Sequence, residues 1–187
     1  MTLMKDGPIS TFNQTIRNVL VNSINETCAA FGFSVTHEPQ LIRKSISMNG
    51  DYLAGIRVSG ANFQGAVTLS MDKRIAKSFA DKIFAGTNAK SDDAMLCDLV
   101  GEVCNQITGV FQRTLAPLGC RLQVTAQETA QSPNTFEVAP NPEEWLLTPF
   151  VYADGRGVLA FGFVGELGLG SDDTAENLRD ARNITFF

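Results

Sequence analysis

The chain has 187 residues, 44% of them hydrophobic and 19% charged, with a formal net charge of −5. That length suits one domain with its own core, and the balance of apolar and charged residues is that of a globular protein. Acidic net charge with scattered Lys and Arg disfavours nucleic-acid binding, which wants a basic stripe, and no run reaches the ~18 apolar residues of a membrane span.

The opening residues 1–10 carry Lys5 and Asp6 but no apolar core, so no secretory signal is read there and a cytoplasmic location is expected. Thr11 to Phe31 reads as an amphipathic helix, with Phe12, Ile16, Val19, Leu20, Thr27 and Phe31 on one side and Gly32 past its end. Extended chain follows at Phe33 to Thr36 and around Leu41 to Ser47. Tyr52 to Ser59 and Gly65 to Ser70 form a hairpin turned by Gly60, Ala61 and Asn62. A second helix starts from an Asp72 cap, runs through Ile75, Phe79 and Ile83, and stops at Gly86.

The order then repeats. A helix from Asp93 to Leu115 ends near Pro117 and Gly119, and Cys120 to Ala126 reads as a strand. Trp145 to Tyr152 and Gly157 to Val164 make another hairpin, turned at Asp154-Gly155. Gly32-Phe33 corresponds to Gly119-Cys120, so each unit is a helix, a strand, a loop and a hairpin. The expectation is an α+β fold of duplicated helix-plus-antiparallel-sheet units. A single domain over 1–170 would hold two pseudo-repeats, about 11–86 and 93–165. Glu128 to Glu144, with Pro133, Pro140 and Pro142, reads as a surface connection. Residues 171–187 are either a docked terminal element or a tail.

Several chemistries lack their residues. His37 is the one histidine, and no nucleophile motif surrounds it. The four cysteines (Cys28, Cys97, Cys104, Cys120) form no CxxC pair and read as reduced, mostly buried thiols. No ligand spacing for zinc is visible. Gly165, Gly168 and Gly170 lack the pattern of a phosphate loop.

The informative segment is the helix Asp93 to Leu115. Leu96, Leu99, Val100, Val103, Ile107, Val110, Phe111 and Thr114 fall on one face. Asp98, Glu102, Asn105, Gly109 and Gln112 fall within about 80° of one another on the opposite side. Gly109 costs ~1 kcal/mol relative to alanine in a helix interior; close approach by another molecule and simple tolerance both account for it. An exposed acidic and amide row is by itself an ordinary solvated helix face.

The spacing Asp98-x-x-x-Glu102-x-x-Asn105, ahead of a strand and within a duplicated layout, resembles the (Asp/Ser)-x3-Glu-x2-Asn signature of the CheC/CheX chemotaxis phosphatases. The segment Leu99 to Gly109 reads like that family's E-x-x-N-x-x-x-G helix, and the order of elements follows the family over roughly residues 10 to 165. Two features depart from it. The family's proline about two dozen residues after the Asn is replaced by Pro133, further on. Glu102 and Asn105 map back onto Thr15 and Asn18, so the first unit keeps an amide without the acid, which looks CheX-type with one working site.

The resemblance implies a CheC-like fold and a phosphatase for the aspartyl phosphate of a CheY-like response-regulator receiver. Asn105 would position the attacking water, a task that suits a neutral donor–acceptor. Glu102 would pair with the receiver's lysine, with Asp98 and Gly109 on the same docking surface. Mg²⁺ would come from the receiver, with no metal or cofactor of the chain's own, and the chain would form a homodimer through its sheet. The alternative is a non-catalytic receiver-binding or flagellar-switch-like module on the same fold. A small-molecule enzyme would need a pocket of convergent polar groups, for which the sequence offers no candidate.

Overall fold

The computed structural model describes residues 12–85, 91–132 and 141–169. Its first helix, α1 (Gln14–Ala30), begins where the Asn13 side chain accepts from the Ile16 amide, and closes at Gly32, whose φ of 79° an L side chain resists. Two short strands, β1 (Thr36–His37) and β2 (Leu41–Arg43), lead to the hairpin β3 (Tyr52–Ser59) and β4 (Phe63–Met71). Asp72 caps α2 (Lys73–Ile83), its carboxylate accepting from the Ile75 amide. The long helix α3 (Asp93–Leu115) is capped by Asp92, and a single 3₁₀ turn, Ala116–Leu118, ends at Gly119 with φ 90°. The second set of strands is β5 (Gln123–Val124), β6 (Glu128–Gln131), β7 (Trp145–Tyr152) and β8 (Gly155–Gly165).

All pairings are antiparallel, in the order β1-β7-β8-β4-β3-β5, with β2 also on β7 and β6 also on β3. That order reads alike from both ends. β1 and β2 sit on β7 as β5 and β6 sit on β3, and β4 meets β8 at the centre, Val67 opposite Phe161. The fold is thus α+β, built of duplicated helix-plus-antiparallel-sheet units, with α2 between them.

Alternation along the strands explains the layers. Tyr52, Ala54, Ile56 and Val58 of β3, Val67 and Leu69 of β4, Leu146 and Phe150 of β7, and Leu159, Phe161 and Phe163 of β8 face α1 and α3 in one core. The opposite face carries a smaller cluster, Ala66, Trp145 and Ala160, under Ile46, Met48 and Leu147.

The structure corrects the expected elements at several points. Glu128 to Gln131 is not surface connection but an edge strand, paired with Tyr52 to Gly55. Its sequence Glu-Thr-Ala-Gln carries no apolar alternation, so pairing rather than pattern makes it a strand. Cys120 to Ala126 shrinks to Gln123–Val124; Cys120 and Leu122 are buried, but outside the ladder. The first strands likewise shrink to Thr36–His37 and Leu41–Arg43.

The second hairpin turns on Ala153 and Asp154, with φ of 48° and 62°, as a two-residue I′ connection requires. Gly155 is already in β8, and it is glycine for a different reason. A Cβ there would stand 2.4 Å from the Ile75 amide nitrogen of α2. Gly86, Pro133, Pro140 and the segment 171–187 lie outside the described residues.

Candidate functional site

The face of α3 toward the sheet is apolar and shut. Leu96, Val100, Val103, Cys104, Ile107, Phe111 and Leu115 are each at most 1% exposed, and Val110 and Leu99 are also buried, while Thr114 is half-buried. On the other side Asp98, Glu102 and Asn105 are exposed, and Gly109 and Gln112 half-buried. The helix therefore presents Glu102 and Asn105, three residues apart, as neighbours on one surface. The Glu102 carboxylate accepts from Gln106 Nε2 at 2.7 Å. The Asn105 carboxamide makes no hydrogen bond among the described residues, so its donor and acceptor are both free. Asp98 stands one turn toward the N-terminus of the helix. Gly109 is bare: a Cβ there would approach nothing nearer than Arg113 Nη1 at 4.0 Å. Nothing within the described chain requires a glycine at that place.

The equivalent surface of α1 differs. Thr15 is half-buried and carries no charge, and Asn18 is exposed, its Oδ1 accepting from Gln14 Nε2 at 2.9 Å. The amide oxygen there is engaged and the acid is missing.

Three contacts hold α3 in place beside β3, β5 and β6. At its start, Asp93 Oδ1 accepts from Tyr52 Oη and Lys73 Nζ, both at 2.7 Å, and Gln131 of β6 adds a side-chain hydrogen bond. In its middle Gly101 is buried, and a Cβ there would lie 2.6 Å from Thr129 Cγ2 and 2.8 Å from Gln127 Nε2. Only a glycine lets strand and helix approach so closely. Near its end Gln112 Nε2 donates to the Leu122 carbonyl at 2.7 Å. None of Gly101, Gln127, Thr129 or the Asp93 cluster was singled out from sequence. A helix-interior glycine was the available signal at Gly101, but its partners lie more than twenty residues away in the chain.

The electrostatics at this end have a consequence for stability. Lys73 first, then Tyr52 and Gln131, hold the Asp93 carboxyl down to about 2 from the usual 3.8. Burial first, and Asp93 second, pushes the Tyr52 phenol above its usual range. A carboxylate whose pKa falls on folding stabilises the fold above its unfolded pKa, and that contribution fades as pH falls toward the folded one. Asp93→Asn is therefore expected to lower the melting temperature at pH 7, with the gap from wild type narrowing between pH 4 and pH 2. Thermal melts followed by circular dichroism measure it. A gap of constant size over that range would contradict the linkage.

Other reactive groups are poorly placed for chemistry. Burial pushes the Cys28 and Cys104 thiols up to about 12 and raises Cys120 as well, so none of these is a ready thiolate. All four cysteines are free. Burial lowers the His37 pKa, and its Nε2 lies 2.8 Å from Asn25 Oδ1, with no acid or nucleophile between them. Among the described residues no three His, Cys, Asp or Glu side chains group to hold a metal ion, and no helix is long and apolar enough to cross a membrane.

Residues 52–135, which include all of α3, match the sequence profile of the chemotaxis phosphatase CheX family. The chain resembles the CheC/CheX family. A CheC-like superfamily protein from Shewanella sp. PV-4 superposes with a TM-score of 0.72 at 19% identity, over 82% of this chain and 100% of that one. CheX from Borrelia burgdorferi, solved in a complex with CheY, BeF₃ and Mg²⁺, gives 0.54 at 17% identity, over 80% and 96%. The FliM middle domain from Helicobacter pylori gives 0.54 at 13%, over 82% and 89%. At these identities the structures show a shared fold, and it is the CheC-like one. No curated protein sequence matches the chain.

Proposed function

We propose that this chain is a phosphatase for the aspartyl phosphate of a CheY-like receiver, with the polar side of α3 as its working surface. The observation that carries the reading is the Glu102–Asn105 pair, exposed on a helix fixed at both ends and in the middle, with the Asn105 amide unengaged. Water attacks the phosphorus, the bond between phosphorus and the aspartyl oxygen breaks, and inorganic phosphate and the free carboxylate leave. Such a transfer asks for positioning more than covalent chemistry. Asn105 accepts from and donates to the water without adding charge beside the phosphoryl group. Glu102 receives the receiver's lysine, which sets the register of the helix on its partner. The receiver's own Mg²⁺ neutralises the phosphoryl oxygens, and the chain brings no metal.

Glu102→Ala separates this reading from general surface polarity. It is expected to weaken both turnover and binding of a beryllofluoride-loaded CheY-type receiver, since it removes the partner of a desolvated lysine, an interaction worth roughly 2–5 kcal/mol when truncated at interfaces. Phosphate release and a calorimetric titration measure the two effects. Unchanged binding would remove Glu102 from the docking surface. The likeness to a FliM domain gives the other reading, an interaction module on the same fold. Receiver binding by wild type without any phosphate release would select it.

The short edge strands leave ladder groups that a second copy can extend, and we propose a homodimer. Light scattering at tens of micromolar should give about twice the 20.2 kDa chain mass; the monomer mass would exclude it.

A further inference from the structure

The two units of the fold close their outer ends differently. In the first, α1 stops at Gly32, and α2 fills the space between that stop, the turn at Ala153 and Asp154, and the end of β4. Phe79 of α2 stacks on Phe33 with ring centroids 4.0 Å apart, Tyr152 stands edge-on to both, and Ile75 lies against Gly155. In the second unit the 3₁₀ turn after α3 stops at Gly119, and the corresponding hairpin turn is Gly60 to Asn62. No helix among the described residues follows β8. Instead the Glu166 amide donates to the Asn62 carbonyl and Leu167 is buried, and a cavity of about 730 Å³ remains between this strap, the turn and Gly119 to Gln123.

The lining suits an amphipathic helix. Phe63, Cys120, Leu122 and Leu167 are buried and give an apolar floor, while Arg121 and Glu166 are exposed and form no ion pair among the described residues. Protein interiors are close-packed, so an open recess of this size over core side chains calls for an occupant. The sequence directly after the strap has the pattern of α2. Ser171 takes the capping place that Asp72 has in α2, Asp172 and Asp173 follow in the first turn, and Arg179 and Arg182 come later, the charge order that a helix favours. Counted from each cap, Ala175 and Leu178 stand where α2 has the buried Ala76 and Phe79. Thr174 and Arg179 stand in place of Ile75 and Ala80, which narrows the apolar face. The second unit asks for less, because β4 opens with Phe63 where β8 opens with Gly155, and Leu167 already enters the space.

We propose that residues 171–182 of this chain lie in the cavity as the counterpart of α2, with Ala175 and Leu178 turned to its apolar floor. The segment's acids and arginines are then available to Arg121 and Glu166. Leu122 lines the cavity and its carbonyl accepts from Gln112, so the same segment steadies the end of α3. The docking is independent of any phosphatase activity.

Amide hydrogen exchange and dye binding on the full chain test it, with wild type beside Ala175→Asp, Leu178→Asp and Asp180→Ala. Asp180 falls on the charged side of the segment, about 200° from Leu178. Circular dichroism confirms that each variant is folded. Ala175→Asp and Leu178→Asp are expected to speed exchange about tenfold in residues 60–63 and 119–123, the loops that line the cavity, while the central strands β4 and β8 keep their protection. Both should also raise the fluorescence of anilinonaphthalenesulfonate several-fold, by uncovering the apolar floor. Asp180→Ala should match wild type in both measurements. Wild-type exchange of the lining loops in Ala175→Asp and Leu178→Asp overturns the docking. Dye bound by wild type as strongly as by Leu178→Asp also overturns it, and leaves the cavity open to a helix from another protein.

Discussion

Asn105→Ala is expected to lower phosphate release from a phosphorylated receiver by about a hundredfold while binding of the beryllofluoride-loaded receiver stays close to wild type. The split follows from the geometry. Asn105 is exposed and makes no hydrogen bond among the described residues, so truncation leaves no buried group unsatisfied and costs the fold little. In the proposed mechanism its amide acts on the water as the transition state forms, and an interaction made chiefly there appears in kcat rather than in affinity. Loss of one oriented donor of this kind commonly costs about 3 kcal/mol. Thr15→Ala and Asn18→Ala, on the α1 surface without the acid, should change turnover by less than about twofold, corresponding to ~0.4 kcal/mol. Stopped assays of phosphate release with all three variants, beside a binding titration, decide the matter. Wild-type turnover by Asn105→Ala would end the assignment.

Phe161→Ala is expected to remove about 3–5 kcal/mol of stability, the usual range for an aromatic cut to alanine in a packed core. Phe161 is fully buried on β8, opposite Val67 at the centre of the sheet. Its ring lies 5.0 Å edge-on from Phe111 of α3 and 6.1 Å from Phe12 at the start of α1, with Phe163 stacked beside it at 5.5 Å. One side chain thus joins both long helices to the strand where the two units meet. Against a typical total of about 5–15 kcal/mol, the loss brings many domains close to unfolding. Urea denaturation measures it: the midpoint should fall with little change in slope. A loss below ~1 kcal/mol would mean that the core relaxes around the cavity far more than this packing allows.

The parts of the fold legible in the sequence are those whose signal is local and strong. The bounds of α3 are Asp93–Leu115 as read, because more than three turns of apolar residues repeat at helical period between an acidic start and a Pro-Gly stop. β3 and β7 are likewise where alternation and turn residues put them. The exposed positions of Asp98, Glu102 and Asn105 follow from the same period, since a well-packed apolar stripe leaves one orientation for the rest. What escaped is non-local. Glu128–Gln131 becomes a strand because Tyr52 to Gly55 offers it a ladder, and nothing in four largely polar residues announces that. Gly101 owes its role to Thr129 and Gln127, and Asp93 to Tyr52 and Lys73. The hairpin signal at Asp154-Gly155 found the right turn but misread its glycine, whose constraint comes from α2 packed against it.

The three fastenings of α3, at Asp93, Gly101 and Gln112, bear on how quickly and how tightly this surface meets a partner. A recognition element that orders itself on contact gives up part of its interaction energy to lost conformational freedom. This helix and the strand edge beside it are already tied together, so encounter proceeds as the meeting of two preformed shapes. Affinity can then be modest and exchange rapid without loss of alignment, which is what the phosphatase role proposed above would ask of a component that visits many short-lived phosphorylated molecules in succession and lets each one go.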